Sequence, residues 1–273
     1  MRSNHVLPIA RRLLALAGLC VLLLSGCTFS LINIPGINIT TSTPLPPSGP
    51  TSTPQPSAAI TFRVALPAPL MANEVLNLSV VDEVTGLALN PVNYAMQGMD
   101  TLHYSVTIPF PINTVVKYRY VRQGNLPTLE DTSADRPVRY RLYDVTGPGS
   151  VEDVVSAWSD GHFNSPNGRI SGQVVDSSHN NAPLAGILVA AGGQQTVSDS
   201  SGRFNLEALP VGTHNLIAYA MDGAYQPYQQ GASVVADKAT LVTLSMTPAS
   251  LVSVVFTVSV PGSTIQNLPI RLA

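Results

Sequence analysis

Residues 168–248 constrain the fold more than any other part of this 273-residue chain. Short apolar runs alternate there with Gly, Pro, Asn and Asp about every eight to twelve residues, the rhythm of an all-β sandwich. Asp199-Ser200-Ser201-Gly202 lies between Val197 and Phe204 and reads as a hairpin loop needing a residue tolerant of positive φ. Leu209-Pro210-Val211-Gly212 reads the same way. Residues 213–220 follow as the longest strand, with Leu216, Ala218 and Ala220 on one face and Ile217 and Tyr219 on the other. Both faces are largely apolar, which predicts an inner strand covered on both sides.

Composition supports the same class. Charged residues make up only 11 % of the chain, while Pro and Gly are plentiful, which favours strands, loops and linkers over long helices. The net charge is −2, and lysine occurs only at Lys117 and Lys238, so no basic face for nucleic acid is expected. The two cysteines, Cys20 and Cys27, both lie near the start, which leaves the rest without a disulfide framework or thiolate metal site.

The chain opens with Arg2, Arg11 and Arg12, followed by an apolar run at 13–24. A membrane-spanning helix needs about twenty apolar residues, so this run has the length of a secretory signal instead. Leu24-Ser25-Gly26-Cys27 then resembles the bacterial lipoprotein box. That resemblance implies a signal peptide at 1–26, lipidation of Cys27, and an outward-facing protein held to the bacterial membrane by its lipid. Residues 40–57 are almost entirely Thr, Ser, Pro and Gly and bury too little to order themselves. Residues 27–59 are therefore read as the lipidated N-terminus and a disordered stalk.

Residues 60–165 read as a first sandwich with antiparallel strands of period two. Phe62, Val64 and Leu66 alternate with Arg63 and Ala65, and strands follow at 75–81 and 102–108. In 115–122, Val116, Tyr118 and Tyr120 stand opposite Lys117 and Arg119. In 138–142, Val138, Tyr140 and Leu142 are expected inward and Arg139 and Arg141 outward. Residues 152–158 are read as the closing strand. Near the other end, 255–261 repeats the residue classes of 61–67, so 250–273 reads as the start of a second, truncated copy of the first module.

Two family resemblances attach to these segments. Gly172-Gln-Val-Val-Asp176, Pro183-Leu-Ala-Gly186, Ser198-Asp-Ser-Ser-Gly-Arg-Phe204 and Leu209-Pro-Val-Gly212 resemble the carboxypeptidase regulatory-like family, a transthyretin-like sandwich. This implies a non-catalytic module over 167–248. Val116-Lys-Tyr-Arg-Tyr120, Glu130, Arg139-Tyr-Arg-Leu142 and Asp153-Val-Val-Ser-Ala-Trp158 are similar to the starch-binding β-sandwich family. Members stack glucose rings on exposed tryptophans. Here Gln123-Gly-Asn-Leu-Pro-Thr-Leu129 holds no aromatic residue, and Trp158 is the only tryptophan.

Candidate chemistry is sparse. His5, His103, His162, His179 and His214 stand at no metal-ligand spacing, so no metal site and no cofactor is expected. No nucleophile elbow or phosphate-cradling loop occurs. Glu130, Asp131 and Asp135 near Arg136, Arg139 and Arg141 read as ion pairs on a solvent-facing edge. Trp158, Tyr143 and Tyr120 are the candidate sugar-binding rings, Trp158 and Tyr143 being those most open to exposure; Tyr118, Tyr120 and Tyr140 fit a core by their alternation.

The expectation is therefore a chain of tandem antiparallel β-sandwich modules and no catalytic residues, acting as a cell-surface lipoprotein. It would bind carbohydrate, an α-glucan by resemblance, or present binding modules, with glycan or surface-protein partners. One alternative is a structural or adhesion spacer without a sugar site; another is the non-catalytic N-terminal part of a longer glycan-active enzyme.

Overall fold

The computed structural model of the chain describes residues 55–83, 88–250 and 255, all in one compact unit that begins at Thr53. The expectations for the signal peptide, for Cys27 and for the truncated copy after Ser250 fall outside these residues. The described residues form eighteen strands and no helix.

The first sandwich holds ten of them: β1 (Ser57–Ala65), β2 (Val75–Glu83), β3 (Ala88–Ala95), β4 (Gln97–Gly98), β5 (His103–Pro111), β6 (Thr114–Gln123), β7 (Pro127–Asp131), β8 (Arg141–Val145), β9 (Gly149–Val154) and β10 (Ala157–Trp158). One sheet runs β4-β5-β1-β9, with β1 antiparallel to β5 and parallel to β9. The other runs β10-β7-β6-β2-β3, and β8 pairs with the remaining length of the β6 edge beside β7. Alternation drives the stacking: Ala58, Ile60, Phe62 and Val64 of β1 all point inward. Because Ala58 already belongs to that inward series, β1 starts at Ser57, inside the segment read as stalk. Phe62 packs edge-on against Tyr118 at 4.8 Å between centroids, in the preferred geometry of aromatic pairs.

The second sandwich holds β11 (Asn167–Asp176), β12 (Ala182–Pro183), β13 (Leu188–Ala191), β14 (Gln194–Val197), β15 (Arg203–Pro210), β16 (Gly212–Tyr219), β17 (Tyr228–Val234) and β18 (Ala239–Met246). Its sheets are β12-β11-β15, with β18 parallel to β11, and β14-β13-β16-β17. As expected, β16 is an inner strand covered on both faces, but β11 is longer. The turn at 199–202 is not a hairpin. It joins β14 to β15, which lie in opposite sheets, and so forms an arch between them. Gly202 still has the expected positive φ of 71°, and a Cβ there would lie 2.5 Å from the Val174 carbonyl oxygen.

The segment 138–142 departs from expectation most. The strand is β8, starting at Arg141, and every residue of β8 is buried. Tyr143 and Val145 face the core of the first sandwich. Tyr140 and Leu142 face away from it and pack with Val81 against Leu188, Ala190 and Ile217 of the second sandwich. A strand covered on both faces cannot be half-solvated, and Arg141, expected outward, points into the protein.

Candidate functional site

The side chains with the richest chemistry meet inside the first sandwich. Arg141 spans two buried carboxylates. Its Nη2 donates to Glu130 Oε2 at 2.7 Å and its Nη1 to Asp153 Oδ1 at 3.0 Å. Asp153 Oδ2 accepts from the Tyr118 and Tyr120 hydroxyls at 2.8 and 2.9 Å. Glu130 Oε1 accepts from the Tyr120 backbone N–H, and Arg141 also reaches the Val154 carbonyl. All five side chains are buried. The strands dictate the meeting: Tyr118 and Tyr120 are inward positions of β6, Glu130 and Asp153 project from β7 and β9, and Arg141 opens β8.

Burial, then the Asp153 carboxylate, push both phenols far above their ordinary pKa. Burial alone would lower the Arg141 pKa; Glu130 and then Asp153 outweigh it and hold the guanidinium charged. Glu130 and Asp153 each take more than one hydrogen bond from Arg141, the tyrosine hydroxyls or the Tyr120 N–H within a buried network, which is a structural arrangement. The expected solvent-facing ion pair at Glu130 and Arg141 is corrected accordingly: an arginine between two buried acids can satisfy them only by leaving the surface.

The candidate sugar rings occupy core positions. Tyr120 is fully buried, Tyr143 packs edge-on to Phe62 at 6.1 Å, and Trp158 keeps only 5 % exposure. The exposure expected of Trp158 and Tyr143 is not met. Trp158 sits in β10 against β7, and the Arg122 guanidinium lies 5.3 Å from its ring centroid. Arg122 in turn is paired with Asp160, and its Nε stands 3.2 Å from Glu74 Oε1. A groove of about 280 Å³ runs past this indole, lined by Pro67, Arg122, Ser156, His162 and Asn164. Tyr118 and Tyr140 are buried as expected, Tyr140 against the second sandwich.

The histidines are dispersed. His103, His162 and His179 each pair with a nearby carboxylate, of Asp100, Asp135 and Asp176 respectively. His214 of β16 is fully buried; one ring nitrogen, Nε2, lies 2.7 Å from the Pro210 carbonyl oxygen and the other has no partner. Among the described residues no group of three or more His, Cys, Asp or Glu side chains is placed to hold a metal ion.

The feature that sequence reasoning missed is the junction of the two sandwiches. β8 pairs with β6 along one edge only. Along the other, side-chain amides of the second sandwich take the place of a strand. Gln195 Nε2 donates to the Tyr140 carbonyl at 2.9 Å, and Asn215 Nδ2 to the Leu142 carbonyl at 3.0 Å. Gln229 Nε2 donates to the Asp144 carbonyl at 2.9 Å and its Oε1 accepts from the Asp144 N–H at 3.0 Å. Residues 140, 142 and 144 present the same edge because strand backbone alternates. Gly193, at φ +80°, brings the β13–β14 turn so close that a Cβ would lie 2.7 Å from Val138 Cγ2. The available signal was the face of 213–220 that carries Ile217 and Tyr219 with Asn215 among them, together with Gln195 and Gln229 on other strands of the same sheet.

No curated protein matches the chain. Among solved structures, it is similar to the glycoside hydrolase family 15 glucoamylase from Hypocrea jecorina, at 17 % identity and a TM-score of 0.30, over 38 % of this chain and 18 % of that one. It is also similar to the minor pilin GBS52 of Streptococcus agalactiae, at 12 % identity and a TM-score of 0.29, over 72 % and 99 % of the two chains. The shaft pilin SpaA from Lactobacillus rhamnosus GG is matched at 10 % identity and a TM-score of 0.24, over 72 % and 100 %. Residues 169–247, within the second sandwich, match the model of the carboxypeptidase regulatory-like domain.

Proposed function

We propose that this chain is a non-catalytic, surface-displayed spacer whose two sandwiches act as one stiff body. The amide-capped edge of β8 carries the reading. A freely articulated pair of modules would leave that edge to water, whereas here the strand's outer backbone groups depend on Gln195, Asn215 and Gln229. Val81, Tyr140, Leu142, Leu188, Ala190 and Ile217 close an apolar seam alongside. The regulatory-like match at 169–247 is consistent with a module that supports rather than reacts. An outward-facing lipid anchor at Cys27 completes the reading from the sequence; Cys27→Ser should move the protein from the membrane to the soluble fraction, and retention would remove the anchor. With Trp158, Tyr143 and Tyr120 inside the core, the spacer reading takes precedence over α-glucan binding.

The test is cooperativity. Stiff coupling predicts one unfolding transition for both sandwiches, detected by Trp158 fluorescence in the first and by hydrogen exchange at β13 and β16 in the second. Gln229→Ala strands both backbone groups of Asp144 and should cost about 1–3 kcal/mol. Asn215→Ala should cost less. Two separate transitions in the unaltered protein, with Gln229→Ala shifting neither, would overturn the reading.

A further inference from the structure

Strand β18 forms an open edge of the second sandwich. The Arg169 N–H donates to the Lys238 carbonyl at 3.0 Å and the Ser177 N–H to the Met246 carbonyl at 2.9 Å, which brackets the parallel ladder of β11 and β18. Strand backbone alternates, so Thr240, Val242 and Leu244 also turn their N–H and C=O groups toward β11. Ala239, Leu241, Thr243 and Ser245 turn theirs the other way, where no strand pairs with β18 among the described residues. Leu241, in the middle of this edge, is 79 % exposed.

An unpaired row of alternating donors and acceptors is a template for one more strand, and folded proteins ordinarily blunt it. Other edges of this chain carry such devices. β3 holds Pro91, β5 holds Pro109 and Pro111, and β15 holds Arg203 and Glu207. β8 has its amides, and on β17 the Ser233 carbonyl accepts from the Thr240 hydroxyl at 2.6 Å. β18 reads Ala-Thr-Leu-Val-Thr-Leu-Ser-Met, with no proline, glycine or charge. The groups along such an edge are completed by an extended strand.

The sequence of β18 is complementary to itself. In an antiparallel pair, outward residues of the two strands face each other across each exchange of hydrogen bonds. Centring the pair on Val242 sets Leu241 opposite Thr243 and Ala239 opposite Ser245 of a second copy, so that the outward N–H and C=O groups of both strands are paired. The two Leu241 side chains then become diagonal neighbours about 7–8 Å apart on one face and shield each other from water. Asp237 and Lys238 fall opposite Thr247 and Met246 of the second copy, so no like charges meet. Each copy has one β18, so the pairing closes on a two-fold axis and does not grow.

We propose that two copies of this chain pair antiparallel along β18 about a two-fold axis at Val242, joining their second sandwiches through one continuous sheet. The experiment is sedimentation of the full chain carrying Cys20→Ser and Cys27→Ser, which removes both thiols and any lipid that would draw copies together. This parent should sediment as a dimer in reversible equilibrium with monomer. Thr243→Pro removes an outward N–H that its own ladder does not use, and Leu241→Lys places a charge on the edge. Each should weaken the dimer roughly ten-fold or more, with the far-ultraviolet spectrum retained. In the same thiol-free chain, Val242→Cys should form a disulfide dimer on mild oxidation, because directly opposed residues of a non-hydrogen-bonded pair lie about 4.5 Å apart at Cα. Val197→Cys, half exposed on β14, should not. A monomeric parent would overturn the proposal, and protection of the Leu241 and Thr243 amides from hydrogen exchange in that monomer would assign the edge to another segment of the same chain. Dimers that survive both edge substitutions would overturn it too and place the contact elsewhere. Cross-linking at Val197→Cys equal to that at Val242→Cys, or none at Val242→Cys, would overturn the two-fold register, as would assemblies larger than a dimer. None of these outcomes depends on the coupling of the two sandwiches.

Discussion

The two sandwiches solve the same packing problem with different means. The first closes its core around charge: Arg141 between Glu130 and Asp153, with two tyrosine hydroxyls completing the acceptors. The second closes around closeness of backbone. Gly172 of β11 lies so near its parallel partner β18 that a Cβ would stand 2.1 Å from the Val242 carbonyl oxygen, and Gly168 is crowded by Val235 in the same way. A buried ionic network is held by its weakest member, because removing one charge strands the others. Close backbone packing is held by absence of volume. The two cores should therefore fail under different insults.

The largest effect is expected from Arg141→Met. It leaves Glu130 and Asp153 buried without a counter-ion and should cost roughly 3–5 kcal/mol in urea denaturation. Gly172→Ala should follow at roughly 1–3 kcal/mol, since the obstructing atom is backbone and can yield only by moving β18. Equal tolerance of both substitutions would erase the contrast between the cores. The smallest effect is on pH. Burial pushes the His214 pKa below its ordinary 6.5, and Arg141 adds to this against the Pro210 carbonyl and Asp153. The unfolded chain therefore takes up the proton first as pH falls. Stability from the neutral ring is complete above about 6.5 and is lost as pH falls from there toward the lowered folded value. His214→Gln should flatten that part of a stability profile. The carboxylates act in a separate, lower window. Asp100 is held below its ordinary 3.8 by the Leu102 N–H and by His103, and Asp135 by His162, so both contribute stability that disappears only under stronger acid.

How much of this was legible in the sequence depends on whether a residue's surroundings were local. The inward series of β1 and β6 could be read directly, because period-two alternation between Phe62, Val64 and Arg63, or between Tyr118, Tyr120 and Lys117, is a property of one strand. Gly202 was legible as a positive-φ turn, but not as an arch, since hairpin and arch differ only in which sheet receives the next strand. Arg141 was misplaced for a deeper reason. Its neighbours on the chain, Tyr140 and Leu142, do face an apolar surface, so the alternation was real, but that surface belongs to the other sandwich. Nothing in one strand's pattern tells a core from a junction. Trp158 and Tyr143, the candidate rings most open to exposure, lie in the first sandwich's own core.

The row of amides along β8 has a consequence for how such chains can change. Because strand backbone reverses direction at every residue, the carbonyls of Tyr140, Leu142 and Asp144 meet Gln195, Asn215 and Gln229 only in one phase. A one-residue slip of β8 would turn those carbonyls away from the amides and, in the same step, turn Arg141, Tyr143 and Val145 out of the first sandwich. The junction between the modules thus depends on the phase of β8, and swapping the second module for a foreign one would lose the amides that complete that strand's outer edge.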